Sequence, residues 1–272
     1  MATRTARRVD NSLPWPAIAL AALAVVFFAL PLVGIVGRAP WSDVSSILRS
    51  ATVREALRLS LICSVAATAL SALLGLPLAW LLARRRFAGK SIVRALCMLS
   101  MVLPPVVGGV ALLFALGPDG LFGQWLDRWF DVRLPFTIAG VVIAQTFVAM
   151  PFFVITVEAA LRRTDAAHDD TARTLGATSW YSFRRVTLPS VRSALIAGAV
   201  LSWARAFGEF GATLTFAGSF PGKTRTLPLS MYSALATDPH QALVLALLMV
   251  AISFAVLVAL RGRWLGGGDP LL

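Results

Sequence analysis

The histidine and acidic side chains of this sequence form no catalytic or metal-binding arrangement. His168 and His240 are single and lack the HExxH spacing of a zinc site. Asp169 and Asp170 are adjacent, which is typical of a solvated helix face rather than of acid–base chemistry. We therefore expect neither a catalytic residue nor a metal site in this chain.

One pair of opposite charges lies inside an apolar run. Arg205 and Glu209 are four residues apart, so they share one face of a helix. A charge within a membrane span is costly and usually faces the helix bundle or water. The pair either fixes packing alone or contributes to a translocation path or gate, where Gly211 and Thr213 are further candidates. Capture of an oxyanion by a free Arg205 fits less well, because tight binding would impede release.

Residues 217–224 almost match a phosphate-binding P-loop. Ala217 replaces the first glycine, and Lys223-Thr224 ends the pattern. A P-loop follows a strand and opens a helix, whereas this stretch follows an apolar run and contains Pro221. ATP binding by the chain itself is therefore only an alternative.

The composition places these residues in a membrane protein. Mean hydropathy is +0.78, apolar residues make up 58% of the 272 residues and charged residues 14%, whereas soluble domains carry roughly 25% charged residues. The net charge of +12 does not indicate nucleic acid, because the arginines cluster in short loops between apolar runs. Cys63 and Cys97 lie in apolar runs, and we interpret them as small core residues.

Six apolar runs predict an all-α polytopic membrane protein with six transmembrane helices. The runs are 17–37, 57–83, 92–116, 137–157, 191–217 and 242–260. The first run is too long for a signal peptide and is predicted to be an uncleaved span. The third contains Pro104-Pro105, so a kink or break is expected in its middle. Residues 38–55, 117–135 and 218–240 are predicted to be loops.

Basic residues predict the orientation of the chain. Six spans put both termini on one side, and the segments on that side hold 16 of the 25 lysines and arginines. The positive-inside rule then places both termini in the cytoplasm. The long polar segment 158–192 is predicted to be cytoplasmic too.

That polar segment has the pattern of a helix–glycine–helix element. Gly176 falls where a helix would end or bend, and Thr178-Ser179 offers an N-cap for a second short helix. Such an element cannot bury its apolar face alone, so it is suited to a groove on a partner. An interfacial helix on lipid headgroups and a plain loop stay open as alternatives.

The same segment resembles the EAA–x3–G–x9–I–x–LP coupling motif of permease subunits from type I ABC importers. Asp170-Thr171-Ala172, Gly176, Val186 and Leu188-Pro189 match the spacing at every anchor. Asp170 replaces Glu, Thr171 replaces Ala and Val186 replaces Ile. A literal Glu158-Ala159-Ala160 lacks the following glycine and is interpreted as a coincidence.

The resemblance implies a coupling helix that sits in a cleft of an ATP-binding subunit. The residues implied in or near that contact are Asp170, Thr171, Ala172, Gly176, Ala177, Thr178 and Trp180. It also implies a homodimer in the cell membrane, two ATP-binding subunits and an extracytoplasmic oxyanion-binding protein. ATP and magnesium would belong to the partner subunit, leaving no cofactor and no enzymatic activity in this chain.

The implied domains are an N-terminal tail, first span and outer loop (1–53), a type I permease domain (54–260) and a cytoplasmic tail (261–272). Residues 204–214, which include the sequence GEFG at 208–211, and residues 217–229 are similar to molybdate permeases. Sulfate and thiosulfate permeases resemble the tail at 218–228 less closely. The implied function is import of a tetrahedral oxyanion, molybdate or tungstate, with sulfate as the alternative. A passive channel or a membrane anchor would not need the coupling motif.

Overall fold

The computed structural model describes residues 15–164, 174, 176 and 178–265. Every element in these ranges is helical, which confirms the all-α prediction. A π-helical turn, Phe183–Thr187, lies between the short helices Ser179–Ser182 and Leu188–Ser190. The α-helices are α1 Trp15–Arg38, α2 Val44–Arg49, α3 Ala51–Arg84, α4 Lys90–Val102, α5 Pro105–Leu116, α6 Gly123–Phe130, α7 Ile138–Arg163, α8 Ser179–Ser182, α9 Leu188–Ser190, α10 Arg192–Phe207, α11 Gly211–Ala217, α12 Leu227–Thr237 and α13 Pro239–Leu265.

Four helices within the described ranges are long and apolar enough to cross a membrane. They are Trp15–Arg38, Ala51–Arg84, Ile138–Arg163 and Pro239–Ala259. A fifth candidate is the pair Trp180–Ser190 and Arg192–Phe207, which is bent by 72°. The remaining predicted run is divided between α4 and α5, so the count of six spans stays a prediction.

Helices α3, α7 and α10 form the centre of the bundle, where glycines allow close approach. Phe153 of α7 is buried between Gly75 of α3 and Gly198 of α10. A Cβ at Gly75 would lie 3.0 Å from the Phe153 ring, and one at Gly198 would lie 3.2 Å from it. Small residues at membrane helix interfaces give this kind of packing.

Two of the apolar runs are broken, and both breaks have a local cause. The third run stops at Leu103 and restarts at Pro105, as predicted, because Pro104 and Pro105 cannot continue the hydrogen-bond ladder. The fifth run stops at Phe207 and restarts at Gly211. This second break contains Glu209, whose carboxylate provides an alternative partner for the backbone.

Three predicted loops contain helix. The prediction that 218–240 is a loop was wrong, because α12 begins at Leu227 with Pro228 in its first turn, where proline is compatible with a helix. Its apolar residues are buried, among them Leu227 and Leu229. The segment 117–135 likewise contains α6, and 38–55 contains α2 and the start of α3. Helix α3 begins before its apolar run because the Ser50 hydroxyl accepts a hydrogen bond from the backbone N–H of Val53 (3.4 Å).

Candidate functional site: the broken helices and the predicted coupling segment

The two helix breaks lie against each other in the bundle. A Cβ at Gly211, the first residue of α11, would lie 3.0 Å from the backbone nitrogen of Val106 and 3.1 Å from Cβ of Pro105. A Cβ at Gly109 of α5 would overlap the Thr215 hydroxyl and lie 2.7 Å from the carbonyl oxygen of Ala212. The half-helices α5 and α11 therefore pack backbone to backbone. Interrupted helices of this kind are tolerated in membranes only where they are buried in protein or line a cavity.

Arg205 and Glu209 form the ion pair that their spacing predicted. Arg205 Nη1 is 2.6 Å from Glu209 Oε2, and the Glu209 side chain is 1% exposed against 27% for Arg205. The second carboxylate oxygen, Oε1, accepts a hydrogen bond from the backbone N–H of Ala212 (2.8 Å). Glu209 thus neutralises Arg205 at the end of α10 and also caps the start of α11.

Buried polar side chains accompany the breaks. Thr213, one of the predicted path residues, is fully buried in α11, and its hydroxyl has no hydrogen-bond partner within the described ranges. Gln145 of α7 is also fully buried, and neither its amide nitrogen nor its oxygen has a partner there. The sequence analysis did not identify Gln145, although a glutamine within an apolar run is a signal that could have indicated it.

Part of the predicted coupling segment lies outside the described residues, namely Asp170, Thr171, Ala172 and Ala177. The chain turns at Gly176, as predicted. Its φ of +85° is a left-handed conformation that favours glycine. Among the described residues, none beyond its chain neighbours has an atom within 4 Å of the position its Cβ would occupy. The turn therefore depends on the backbone conformation of Gly176.

A short helical stretch follows this turn and begins at the predicted cap. The Thr178 hydroxyl accepts a hydrogen bond from the backbone N–H of Tyr181 (3.2 Å). Trp180 is 69% exposed, and its ring stacks on Phe183 with 5.9 Å between centroids. The stretch continues through the π-helical turn and α9, then bends into α10.

An ion cluster that the sequence analysis missed lies at the basic end of α7. Glu158, whose side chain is 8% exposed, accepts from Arg94 Nη2 of α4 at 2.5 Å and lies 2.8 Å from Arg162 Nη2. The four-residue spacing of Glu158 and Arg162 was a sequence signal for the contact between these two side chains. Nothing local indicated Arg94, which is 64 residues away in the chain. The cluster ties α4 to the C-terminal end of α7.

The P-loop-like stretch does not have the surroundings of a nucleotide site. It follows a helix, α11, instead of a strand. The Thr224 hydroxyl accepts a hydrogen bond from the backbone N–H of Phe220 (3.0 Å), and Arg225 Nε donates to the Ser219 hydroxyl (3.2 Å). These contacts fold the stretch on itself as a structural turn.

Comparison with known proteins agrees with this architecture. The Molybdenum transport system permease protein ModB of Mycobacterium tuberculosis is 44% identical over 254 residues, covering 93% of this chain and 94% of that protein. The Escherichia coli K12 protein of that name is 38% identical over 211 residues, covering 78% and 92%. The Sulfate transport system permease protein CysT of E. coli K12 is 33% identical over 222 residues, covering 81% and 80%.

Solved structures share the fold at low sequence identity. A bacterial ABC transporter involved in the import of alginate superposes with a TM-score of 0.70 at 15% identity, covering 94% of this chain and 96% of that chain. The MetNI methionine ABC transporter gives 0.58 at 18% identity, covering 79% and 99%. The family model for the inner membrane component of binding-protein-dependent transport systems matches residues 75–266. The chain is therefore a multi-pass membrane protein that belongs to this family of inner membrane transport components.

Proposed function

We propose that the chain is the permease subunit of an ATP-driven importer of molybdate or tungstate. The observation that carries the proposal is the 44% identity to a molybdenum transport permease across 93% of this chain. A sulfate importer is the second candidate, because a sulfate permease is 33% identical over 81% of the chain. Molybdate, tungstate and sulfate are all tetrahedral dianions, so one path would fit each of them.

The energy for transport would come from a partner. Two ATP-binding subunits would hold ATP and magnesium, and this chain would carry no cofactor. The segment 170–180 would dock on them, a role supported by the left-handed turn at Gly176 and the cap at Thr178. Helix α10 begins shortly after this segment and ends next to Glu209. Its 16 residues span about 24 Å, so a shift at the docking segment would reach the helix break.

The ion pair would act as a brace at the break. Because Glu209 neutralises Arg205 at 2.6 Å, the pair presents little net charge to a passing dianion and would not trap it. Thr213 and Gln145 would supply neutral donors nearby. A second copy of the chain would complete the path, and an extracytoplasmic binding protein would deliver the anion. Both termini would be cytoplasmic.

Uptake with competing anions tests the cargo. Cells that lack their own molybdate importer would express the chain with its ATP-binding and binding-protein partners, and cellular molybdenum would be measured. The proposal predicts uptake that excess tungstate suppresses and excess sulfate leaves intact. Uptake abolished by sulfate would assign the chain to sulfate import, and the proposal for molybdate would be wrong.

A further inference from the structure

An apolar groove lies between α3 and the short stretch that follows the Gly176 turn. Its volume is about 480 Å³. The side chains that line it are all aliphatic or aromatic: Leu73, Leu76, Pro77, Trp80, Trp180 and Phe183. Leu73 and Trp180 are 70% and 69% exposed, so the groove is open along its length.

Aromatic contacts hold Trp180 and Phe183, which form the wall of the groove opposite α3, against that helix. The ring of Phe183 packs edge-on against Trp80, with 6.0 Å between centroids, and stacks on Trp180 at 5.9 Å. The groove therefore joins a membrane helix to the segment proposed to dock on the ATP-binding subunit. Anything bound in it contacts both.

Arginines adjoin two of the residues that line the groove. The guanidinium of Arg85 lies over the Trp80 ring, 5.6 Å from its centroid. Arg184 and Arg185 follow Phe183 directly, and all three arginines are exposed. Among the residues that the structure describes, none that lines the groove is acidic.

The dimensions match the inner half of a bilayer. Arg85 directly follows the last residue of α3, and Leu73 lies 12 residues before it, a rise of about 18 Å along the helix. Half of the hydrocarbon core of a bilayer is about 15 Å. The arginines are then at headgroup depth when Leu73 is near the bilayer centre. Basic residues at this depth attract anionic lipids.

We propose that this groove binds an anionic phospholipid. Its phosphate would contact Arg85 and Arg184, and one acyl chain would lie along Leu73, Leu76 and Pro77. Trp180 would cover the chain from the cytoplasmic side. The site is separate from the helix breaks and does not depend on which anion is transported.

Competition between two lipids tests the headgroup contact. The purified full-length chain would be given equal amounts of phosphatidylglycerol and phosphatidylcholine, and bound lipid would be counted by native mass spectrometry. The wild-type chain should retain phosphatidylglycerol in preference. Arg85→Gln should lower that preference roughly fivefold, and Arg85→Gln with Arg184→Gln should lower it further. Arg163→Gln removes an equal charge from the end of α7 and should leave the preference unchanged.

Filling the groove tests the acyl-chain contact without changing charge. Leu76→Trp should reduce phosphatidylglycerol retention, whereas Leu61→Trp, at an exposed position of α3 outside the groove, should not. Unfolding temperatures of both variants would show that the bundle is intact. Equal retention of the two lipids by the wild-type chain, or a preference that survives Arg85→Gln, would overturn the proposal.

A crosslink in the membrane identifies the occupant directly. A photoreactive amino acid at position 76, on the α3 wall of the groove and outside the proposed docking segment, should label phosphatidylglycerol in the complex with the ATP-binding subunit. Labelling of a protein subunit in place of lipid would overturn the lipid site, while leaving the transport proposal standing.

Discussion

Gly176 and Gly89 share a backbone conformation, with φ of +85° and +86°, and in the part of the chain that the structure describes no residue beyond their chain neighbours comes within 4 Å of where either Cβ would lie. They differ in location, because Gly89 precedes α4 and Gly176 lies in the proposed docking segment. The roles of Arg205 and Glu209 depend on their charges, whereas those of the two glycines depend on backbone conformation. Each role is tested by a substitution that is compared with a second variant.

Gly176→Asp should abolish ATP-driven transport while the protein still inserts in the membrane. A non-glycine residue in the left-handed region costs about 1–3 kcal/mol, and Gly89→Asp has the same backbone cost. Only the Gly176 variant also adds a carboxylate to the docking segment. Cellular molybdenum and membrane abundance of both variants would be measured. Normal transport by Gly176→Asp would contradict the coupling role.

Glu209→Gln should destabilise the protein, and Arg205→Gln added to it should restore part of the loss. A glutamine at 209 can still accept a hydrogen bond from Ala212, so the single change chiefly leaves Arg205 unpaired. Breaking a buried ion pair costs about 3–5 kcal/mol. Thermal unfolding in detergent would measure both variants. Wild-type stability of Glu209→Gln would contradict a stabilising role for the pair, and equal stability of the single and double variants would show that an unpaired Arg205 carries no cost.

The elements that hold the site are the half-helices α5 and α11 and the three-helix centre around them. Their contact depends on the absence of side chains at Gly109 and Gly211, which brings one backbone against the other. Such a contact has two well-packed surfaces and little capacity to adjust. A change in the angle between α5 and α11 therefore requires the whole pair to move.

Gly109→Ala should separate these half-helices. Its methyl group would overlap the Thr215 hydroxyl and press on the Ala212 carbonyl oxygen, so a loss of about 1–3 kcal/mol in stability is expected. Adding Thr215→Ala should restore only part of it, because the carbonyl contact persists. Gly34→Ala in α1, where no atom lies within 4 Å, is the control and should not destabilise. Unfolding temperature is the readout, and an unchanged value for Gly109→Ala would contradict the packing described.

Elements with local causes were predictable from the sequence, and long-range contacts were not. Pro104-Pro105 predicted the break between α4 and α5, and the spacing of Arg205 and Glu209 predicted their contact. The helix α12 was missed because the whole segment 218–240 was predicted to be a loop. The contact of Arg94 with Glu158 and the approach of α11 to α5 join distant parts of the chain, which no local pattern records.

At the scale of the whole molecule, the apolar helices and the basic segments between them are those of a multi-pass membrane protein. Helix α1 is exposed along its described length and contacts α13. The exposed apolar side chains of α1 require lipid or another subunit. The basic segments at 84–94 and 158–192 mark the side on which the ATP-binding subunits would dock.

Fusions of a reporter to the C-terminus should show that it is cytoplasmic. The positive-inside rule predicts this orientation from the arginines of segments 84–94 and 158–192. A green fluorescent protein fusion should fluoresce, and an alkaline phosphatase fusion should be inactive. The opposite pair of results would place the Gly176 segment outside, where no ATP-binding subunit could reach it.

The measurement that tests the central claim most directly is molybdenum uptake with each component omitted in turn. Cells without their own importer would express the chain, the ATP-binding subunit and the binding protein. Uptake should require all three, and an ATP-binding subunit unable to hydrolyse ATP should abolish it. Uptake by the chain alone, without the ATP-binding subunit, would contradict the account and indicate a passive channel.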